Sequence, residues 1–212
     1  MTLAILFING LCLGAGILVS TAYGAGDTQR VERQVSTTAI AGTVFSLVFS
    51  ALCVLLATPL LRLMQVPEEI LPIAVQYLRI VFAGLIFTFF YNFLAATMRA
   101  LGDSKATLYF LLVSSILNVV LDLAFVAGLG LGVAGAAVAT VISQIASCVI
   151  GFAYMHRKYA LLRFSLRELR LDVKTAGRIL QVGAPMAIQQ SIVSCGFLFL
   201  QRLVNLYGEG MI

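Results

Sequence analysis

Charged residues are scarce in this chain, and their scarcity excludes a water-soluble fold. Only 11% of the 212 residues are Asp, Glu, Lys or Arg, whereas 61% are hydrophobic. With this composition, a soluble domain of 212 residues would have more apolar side chains than its core could hold. Histidine occurs only once, at His156. One histidine cannot form a zinc cluster, and we expect His156 to be a solvated loop residue.

Cysteine and N-terminal charge are also limited. The four cysteines lie within apolar runs, at spacings that match no metal-ligand motif, and we expect them to pack as small hydrophobic side chains. The first ten residues contain no basic residue, which argues against a secretory signal peptide. No polar segment precedes the first apolar run either. This pattern favours the interpretation that the chain begins inside a longer protein.

Long apolar runs dominate what remains. The stretches 2–26, 34–61 and 123–155 contain no Asp, Glu, Lys or Arg. About 20 helical residues cross the hydrocarbon layer of a membrane, which is ~30 Å thick. The third stretch is too long for one crossing, and glycines near position 130 divide it. We therefore predict an all-α polytopic membrane protein with six transmembrane helices, at about 2–24, 37–61, 73–98, 106–128, 133–155 and 179–206.

The basic residues are distributed unevenly between the two sides of this membrane. Most of them fall in the predicted loops after spans one, three and five. Because excess Lys and Arg marks the cytoplasmic side, we predict a multi-pass protein of the plasma (inner) membrane with its N-terminus outside. The loop after span five alternates bases with leucines, which predicts an amphipathic segment on the inner surface. It lacks the interleaved aromatics of a nucleic-acid site, so no nucleic-acid partner is expected.

The segment Gly130–Gly135 matches the G-x-G-x-x-G pattern of dinucleotide-binding proteins. That function also requires an acidic residue about twenty positions later, and none occurs between Ala136 and Lys158. We expect the glycines to form a tight turn and a close helix contact instead, and we predict no cofactor.

Asp122 is the only carboxylate inside a predicted span. A charge at membrane depth costs roughly 2.5–3.5 kcal/mol, so it is rarely found there without a partner or a function. Asn118 lies one helical turn earlier on the same face, and a hairpin turning near residue 130 places Thr140 at a similar depth. Oxygen ligands of this kind suit a hard cation such as Na⁺, and a desolvated carboxylate suits reversible protonation. The alternative is a polar cluster that only joins helices.

Other polar or aromatic side chains in the spans are weaker candidates. Gln189 and Gln190 follow Pro185, which is expected to kink the last span. A role in a substrate cavity and simple interhelical hydrogen bonding are equally consistent with these two residues. Span three is rich in aromatics, most of which should be packing or lipid contacts, and Tyr91 is our candidate there for a cavity wall.

Several motifs, in order along the chain, resemble those of the MATE (multidrug and toxic compound extrusion) transporters. The resemblance rests on Gly24–Asp27, Tyr77–Ile80, Arg99–Asp103, Asn118–Asp122, Gly135–Thr140 and Gly183–Pro185.

The resemblance implies twelve spans in two six-helix lobes, of which this chain would cover spans two to seven. Residues 1–156 would be the N-terminal lobe without its first helix, and 157–178 a basic cytoplasmic loop between the lobes. Residues 179–212 would be the first helix of the C-terminal lobe. The remaining helices of the transporter would then be partners of this chain.

The resemblance also implies a cation site in the first lobe. In the family this site has an Asp on the first helix, Asn and Asp on the fifth, and Thr on the sixth. Asn118, Asp122 and Thr140 match the last three, and Tyr77 matches a tyrosine often found near them. The first-helix Asp has no counterpart in this chain. The acidic residue that some branches carry on the last span is absent as well.

The function implied is a secondary antiporter and not an enzyme. Na⁺ or H⁺ would enter at Asp122 and drive export of a drug, a cationic or amphipathic organic compound. A lipid-linked saccharide flippase of related fold is an alternative, although it would need a wide basic cavity. An intramembrane enzyme would need paired acids or a catalytic histidine. A purely structural subunit would leave Asp122 unexplained.

Overall fold

The computed structural model describes residues 2–63, 66–159, 162 and 171–208. The described residues form helices and turns and contain no strand, which confirms the all-α prediction. The basic segment 163–170, predicted to be amphipathic, lies outside the described residues. The helices are α1 (Thr2–Gly24), α2 (Thr28–Leu63), α3 (Leu71–Ala83), α4 (Leu85–Ala100), α5 (Ser104–Asp122), the π-helix (Leu123–Gly128), α6 (Gly132–Lys158) and α7 (Val173–Gly208).

Five of the six predicted spans have the length and composition needed to cross a membrane within the described part of the chain. Four are single stretches, at Thr28–Leu63, Ser104–Gly128, Gly132–Lys158 and Val173–Gln201. The fifth is the pair formed by α3 and α4. The first predicted span forms α1, of which Ile8–Gly24 is a shorter apolar helix. The chain is thus a polytopic α-helical membrane protein.

The third span is broken, whereas the sequence predicted one continuous helix over 73–98. Helices α3 and α4 meet at Gly84 with a bend of 42°. A Cβ atom on Gly84 would lie 2.5 Å from Cγ2 of Val141 on α6. The absence of a side chain at Gly84 therefore allows α6 to pack directly against the bend.

Two turns at the same end of the bundle share a Gly-Asp signature. Gly26 and Gly102 have φ angles of 71° and 84°, in the left-handed region, and each ends a helix. The following aspartates begin the next helices. Asp27 Oδ1 accepts a hydrogen bond from the Arg30 amide at 2.9 Å, and Asp103 Oδ1 accepts one from the Ala106 amide at 3.2 Å. These caps fix two helical hairpins with almost no connecting loop.

Helix α7 crosses α1 at very short range. A Cβ atom on Gly14 would lie 2.5 Å from Cα of Gly183, and one on Gly10 would lie 2.5 Å from Cα of Ala187. Small residues four apart on both helices allow this approach, as they do in other membrane helix pairs. Helix α7 continues through Pro185, so the expected kink does not interrupt the helix.

Asp103 also anchors the end of α6. Its Oδ2 atom accepts hydrogen bonds from Lys158 Nζ at 2.6 Å, from the Tyr154 hydroxyl at 2.8 Å and from the Tyr159 hydroxyl at 3.3 Å. Desolvation raises the pKa of Asp103, but the bonds from Lys158 and Tyr154 outweigh it, and the pKa falls below its ordinary value of 3.8. The α4–α5 turn is thereby tied to the last turn of α6.

We predict that Asp103→Asn lowers the thermal unfolding midpoint by a few degrees, because an amide lacks the charge that Lys158 pairs with. Since folding lowers the pKa of Asp103, its stabilisation is complete above pH 3.8 and is lost as the pH falls through the folded-state value. Thermal melts of the parent and the variant at pH 7 and pH 3 check this. The difference between the two midpoints should be smaller at pH 3 than at pH 7, and an equal difference at both would contradict the assignment.

Candidate functional site

The candidate site lies where α5 gives way to the π-helix. Helix α5 ends at Asp122, and the wider π-turns of Leu123–Gly128 follow directly. The Leu129 amide donates to the Ala124 carbonyl at 2.9 Å, five residues back. Single π-turns inside membrane or soluble helices are frequently found at functional sites. The chain then reverses at Gly130 and Gly132, whose φ angles of 65° and 56° need glycine.

This hairpin brings two of the predicted site residues together. Asn118 Nδ2 donates a hydrogen bond to Thr140 Oγ1 at 3.4 Å, from α5 to α6. The Thr140 hydroxyl in turn donates to the Ala136 carbonyl at 3.0 Å. Both side chains are half-buried. The hydroxyl oxygen thus has its proton directed away from Asn118, and the Asn118 carbonyl oxygen is not used in this contact.

Asp122 stands out because one of its oxygens is buried without a hydrogen-bond partner. The residue is half-buried, and its Oδ1 atom accepts no hydrogen bond from the described residues. The ion pairs in the described part of the chain involve Asp27, Asp103 and Asp172 instead. A buried polar atom without a partner is disfavoured and calls for a specific explanation, such as a bound water molecule, an ion or a functional role.

The donor set around Asp122 consists of oxygens. The side chains that α5 and α6 supply are the carboxylate of Asp122, the amide of Asn118 and the hydroxyl of Thr140, with Asn118 and Asp122 on one helical face. Hard cations such as Na⁺ prefer oxygen ligands, and a lone carboxylate can also take a proton. Within the described residues, no group of three or more His, Cys, Asp and Glu side chains could hold a metal ion. Softer transition metals therefore have no ligand cluster in this part of the chain.

Among the described residues, no hydrogen bond joins the remaining sequence candidates to this cluster. Tyr77 is half-buried on α3, and among the described residues no hydrogen bond joins it to Asn118, Asp122 or Thr140. Gln189 and Gln190 are exposed on α7, and Tyr91 is half-buried against the core. Their roles stay predictions.

The structure adds two buried amides that the sequence argument did not single out. Asn9 on α1 and Gln34 on α2 each have a buried side-chain oxygen without a hydrogen-bond partner. Asn9 is the one amide in the apolar run from Thr2 to Gly26, so its isolation was a usable signal. Gln34 gave no such signal, because it lies beside the charged residues that begin α2.

An apolar cavity of about 720 Å³ lies between α2, α4 and α6. Its wall includes Phe90, Phe93 and Phe152, with His156 at one end. Aromatic rings with few polar atoms form the usual lining for small organic ligands. Two of the aromatics are in the stretch that the sequence marked as aromatic-rich.

Comparison with known proteins decides the family. A family model described as MatE matches residues 1–124. The chain belongs to the MATE family. The relative described as "Probable multidrug resistance protein YpnP", from Bacillus subtilis (strain 168), is 34% identical to this MATE chain over 206 residues. That alignment covers 97% of the chain and 46% of the relative.

Solved structures agree with this MATE assignment. An inward-facing multidrug resistance MATE transporter of the MOP superfamily is 25% identical and superposes with a TM-score of 0.82, over 89% of this chain and 43% of that one. An outward-facing one is 26% identical and superposes with a TM-score of 0.79, over 98% and 46%. This MATE chain thus spans about half the length of the relatives it matches. The family consists of transporters rather than enzymes.

Proposed function

We propose that this chain is part of a two-lobe antiporter that couples entry of Na⁺ or H⁺ at Asp122 to export of small organic compounds. The observation that carries the proposal is the buried, unpartnered Oδ1 of Asp122 beside the contact between Asn118 and Thr140. An ionised carboxylate without a bound cation or proton has a high free energy at membrane depth, and binding of either one removes most of that cost. Cation binding therefore changes the relative free energies of conformations that differ in the exposure of Asp122 to water.

Each residue of the cluster has a role in this proposal. Asp122 neutralises the coupling cation, while Asn118 and Thr140 supply neutral oxygens or orient the carboxylate. Tyr77, on the neighbouring α3, serves as a wall of the site. With Na⁺ as the coupling ion, further ligands must come from water or from helices outside this chain, because Na⁺ prefers more oxygens than three side chains provide.

Family membership supports a proposed two-lobe arrangement. In it, residues 1–156 are the N-terminal lobe without its first helix, 157–178 the basic loop between the lobes, and 179–212 the first helix of the C-terminal lobe. In secondary transporters of this kind, substrate and ion sites alternate between the two sides of the membrane as one lobe rocks against the other. The close crossing of α1 and α7 would then be a contact between the lobes. The N-terminus would face the outside of the plasma membrane, as the distribution of basic residues predicts.

The exported compound is expected to be cationic or amphipathic. The names of the relatives refer to multidrug resistance and multidrug export, and the aromatic-lined cavity between α2, α4 and α6 has the surface that such compounds bind. Gln189, Gln190 and Tyr91 are additional candidates for polar contacts with the substrate.

Efflux of a fluorescent organic cation from energised cells tests the function. Cells that produce the complete transporter containing this chain should extrude the dye faster than cells without it. The extrusion should stop when the gradient of the coupling ion, Na⁺ or H⁺, is collapsed. Extrusion that is indifferent to both gradients and that depends on ATP would contradict an antiporter.

Thr140→Val should weaken the cation site without destroying it. The substitution keeps the shape of the side chain and removes one oxygen ligand, so the cation concentration for half-maximal transport should rise about tenfold. Thr21→Val is the matched control, because the Thr21 hydroxyl makes the same kind of bond to a carbonyl four residues back but is exposed on α1. An equal effect of both substitutions on the half-maximal concentration would exclude Thr140 from the site.

A further inference from the structure

A second cavity, of about 850 Å³, lies at the end of the bundle that carries the Gly-Asp turns. It is enclosed by the beginning of α2, the beginning of α7 and one side chain of α1. Its wall is largely polar and carries four bases, Arg30, Arg33, Lys174 and Arg178. Two carboxylates, Asp27 and Asp172, accompany these four bases and leave an excess of positive charge.

Both carboxylates are already engaged. Asp27 caps α2 and lies 3.9 Å from Nε of Arg30. Asp172 accepts a hydrogen bond from the Thr175 hydroxyl at 2.8 Å and from the Lys174 amide at 3.0 Å, and its Oδ2 lies 4.0 Å from Nη1 of Arg33. These bonds hold the pKa of Asp172 below its ordinary value, so the group stays ionised.

Among the described residues, the two bases that α7 contributes to the cavity have no such partner. Lys174 and Arg178 are one helical turn apart on the same face, and both line the cavity. No ion pair joins either of them to a carboxylate in the described part of the chain. They lie in the first turns of a long helix, where the helix dipole also favours an anion.

The deep wall of the cavity offers an independent signal. Gln34 is 8% exposed, lines the cavity, and has a buried side-chain oxygen without a hydrogen-bond partner. A hydroxyl or an amine of a ligand would supply the donor that this acceptor lacks. The cavity therefore suits a ligand that carries both an anionic group and a hydrogen-bond donor.

We propose that this cavity binds the headgroup of an anionic phospholipid, with the phosphate at Lys174 and Arg178 and a headgroup hydroxyl at Gln34. The site lies at the ends of membrane-spanning helices, where headgroups are found, and on the side to which the excess of basic residues points. Phosphatidylglycerol has the required chemistry, since it combines one phosphate with two free hydroxyls. The lipid would bridge α2 and α7.

Thermal unfolding of the protein in lipid-detergent micelles tests the proposal and needs no transport activity, so it can fail separately from the antiport assay. Phosphatidylglycerol should raise the unfolding midpoint in a saturable way, whereas phosphatidylcholine should not. The double variant Lys174→Gln/Arg178→Gln should need on the order of thirtyfold more phosphatidylglycerol for half the effect. Lys105→Gln is the control, because it removes an exposed base at the same end of the bundle but outside the cavity.

Three results would overturn the proposal. The first is an equal midpoint with both lipids, and the second is an equal loss with Lys105→Gln, which would indicate a diffuse charge effect. The third is full protection by inorganic phosphate at millimolar concentration, which would indicate a soluble anion.

Should the double variant not be recovered, the Gln34→Met variant provides the test, because it keeps the side-chain volume and removes the hydrogen-bond acceptor. It should weaken the response to phosphatidylglycerol, and an unchanged response would contradict the site.

Discussion

Asp122→Asn is expected to abolish cation-coupled efflux while leaving the amount of protein in the membrane unchanged. The substitution removes the only charge in the candidate site and keeps its shape. An amide binds neither a proton nor Na⁺ with useful affinity near neutral pH, so the loss should exceed a hundredfold in coupled rate, since each tenfold corresponds to about 1.4 kcal/mol. Dye efflux and membrane abundance, measured on the same cells, check both parts of the prediction.

The matched control is Glu69→Gln, which removes a carboxylate that is exposed outside the spans. It should leave both efflux and abundance close to those of the parent. A loss of abundance in Asp122→Asn would mean that the carboxylate serves folding instead of coupling. In that case Asp122→Glu, which keeps the charge and adds one methylene, would separate the two roles, because it should restore folding but not the full rate.

Gly14→Ala should be strongly destabilising, although it adds only one methyl group. The new Cβ would lie 2.5 Å from Cα and 2.6 Å from N of Gly183, which are backbone atoms that cannot rotate away. Helices α1 and α7 must therefore separate. Overpacking of this kind costs about 1–3 kcal/mol and should lower the unfolding midpoint by on the order of 5 °C.

The control for this prediction is Gly196→Ala on α7, the helix that Gly14 of α1 contacts. A Cβ atom at Gly196 would meet nothing within 4 Å. Alanine is the better helix former, so the midpoint should stay or rise slightly. If α1 and α7 belong to different lobes, as proposed, Gly14→Ala should also lower the transport rate by more than the loss of folded protein accounts for. Similar melting curves for the two variants would show that the α1–α7 crossing tolerates expansion.

The sequence predicted the features that depend on hydrophobic length and on local chemistry. The apolar runs located the membrane helices, and the glycines near residue 130 marked a turn because left-handed φ angles favour glycine. Hairpin arithmetic around residue 130 correctly brought Asn118 to the depth of Thr140. A helical hairpin has a fixed rise per residue, so depth can be counted from the turn.

Features set by contacts between distant segments were not predictable in this way. The break at Gly84 packs against Val141 on α6, more than fifty residues later. The π-turns after Asp122 consist of apolar residues and a glycine, like the helices around them, and no change in the hydrophobic pattern marks them in the sequence. The polar cavity between α2 and α7 combines residues separated by about 140 positions, so its charges were predicted as loop charges and not as a site.

Substrate transport in proteoliposomes with and without an imposed cation gradient tests the central claim most directly. The complete transporter with the parental chain should accumulate an organic cation inside the liposomes only when an outward-directed Na⁺ or H⁺ gradient drives the exchange. The Asp122→Asn variant should still exchange labelled for unlabelled substrate but should not respond to the gradient. Gradient-driven accumulation by Asp122→Asn at the parental rate would contradict the assignment of Asp122 as the coupling residue.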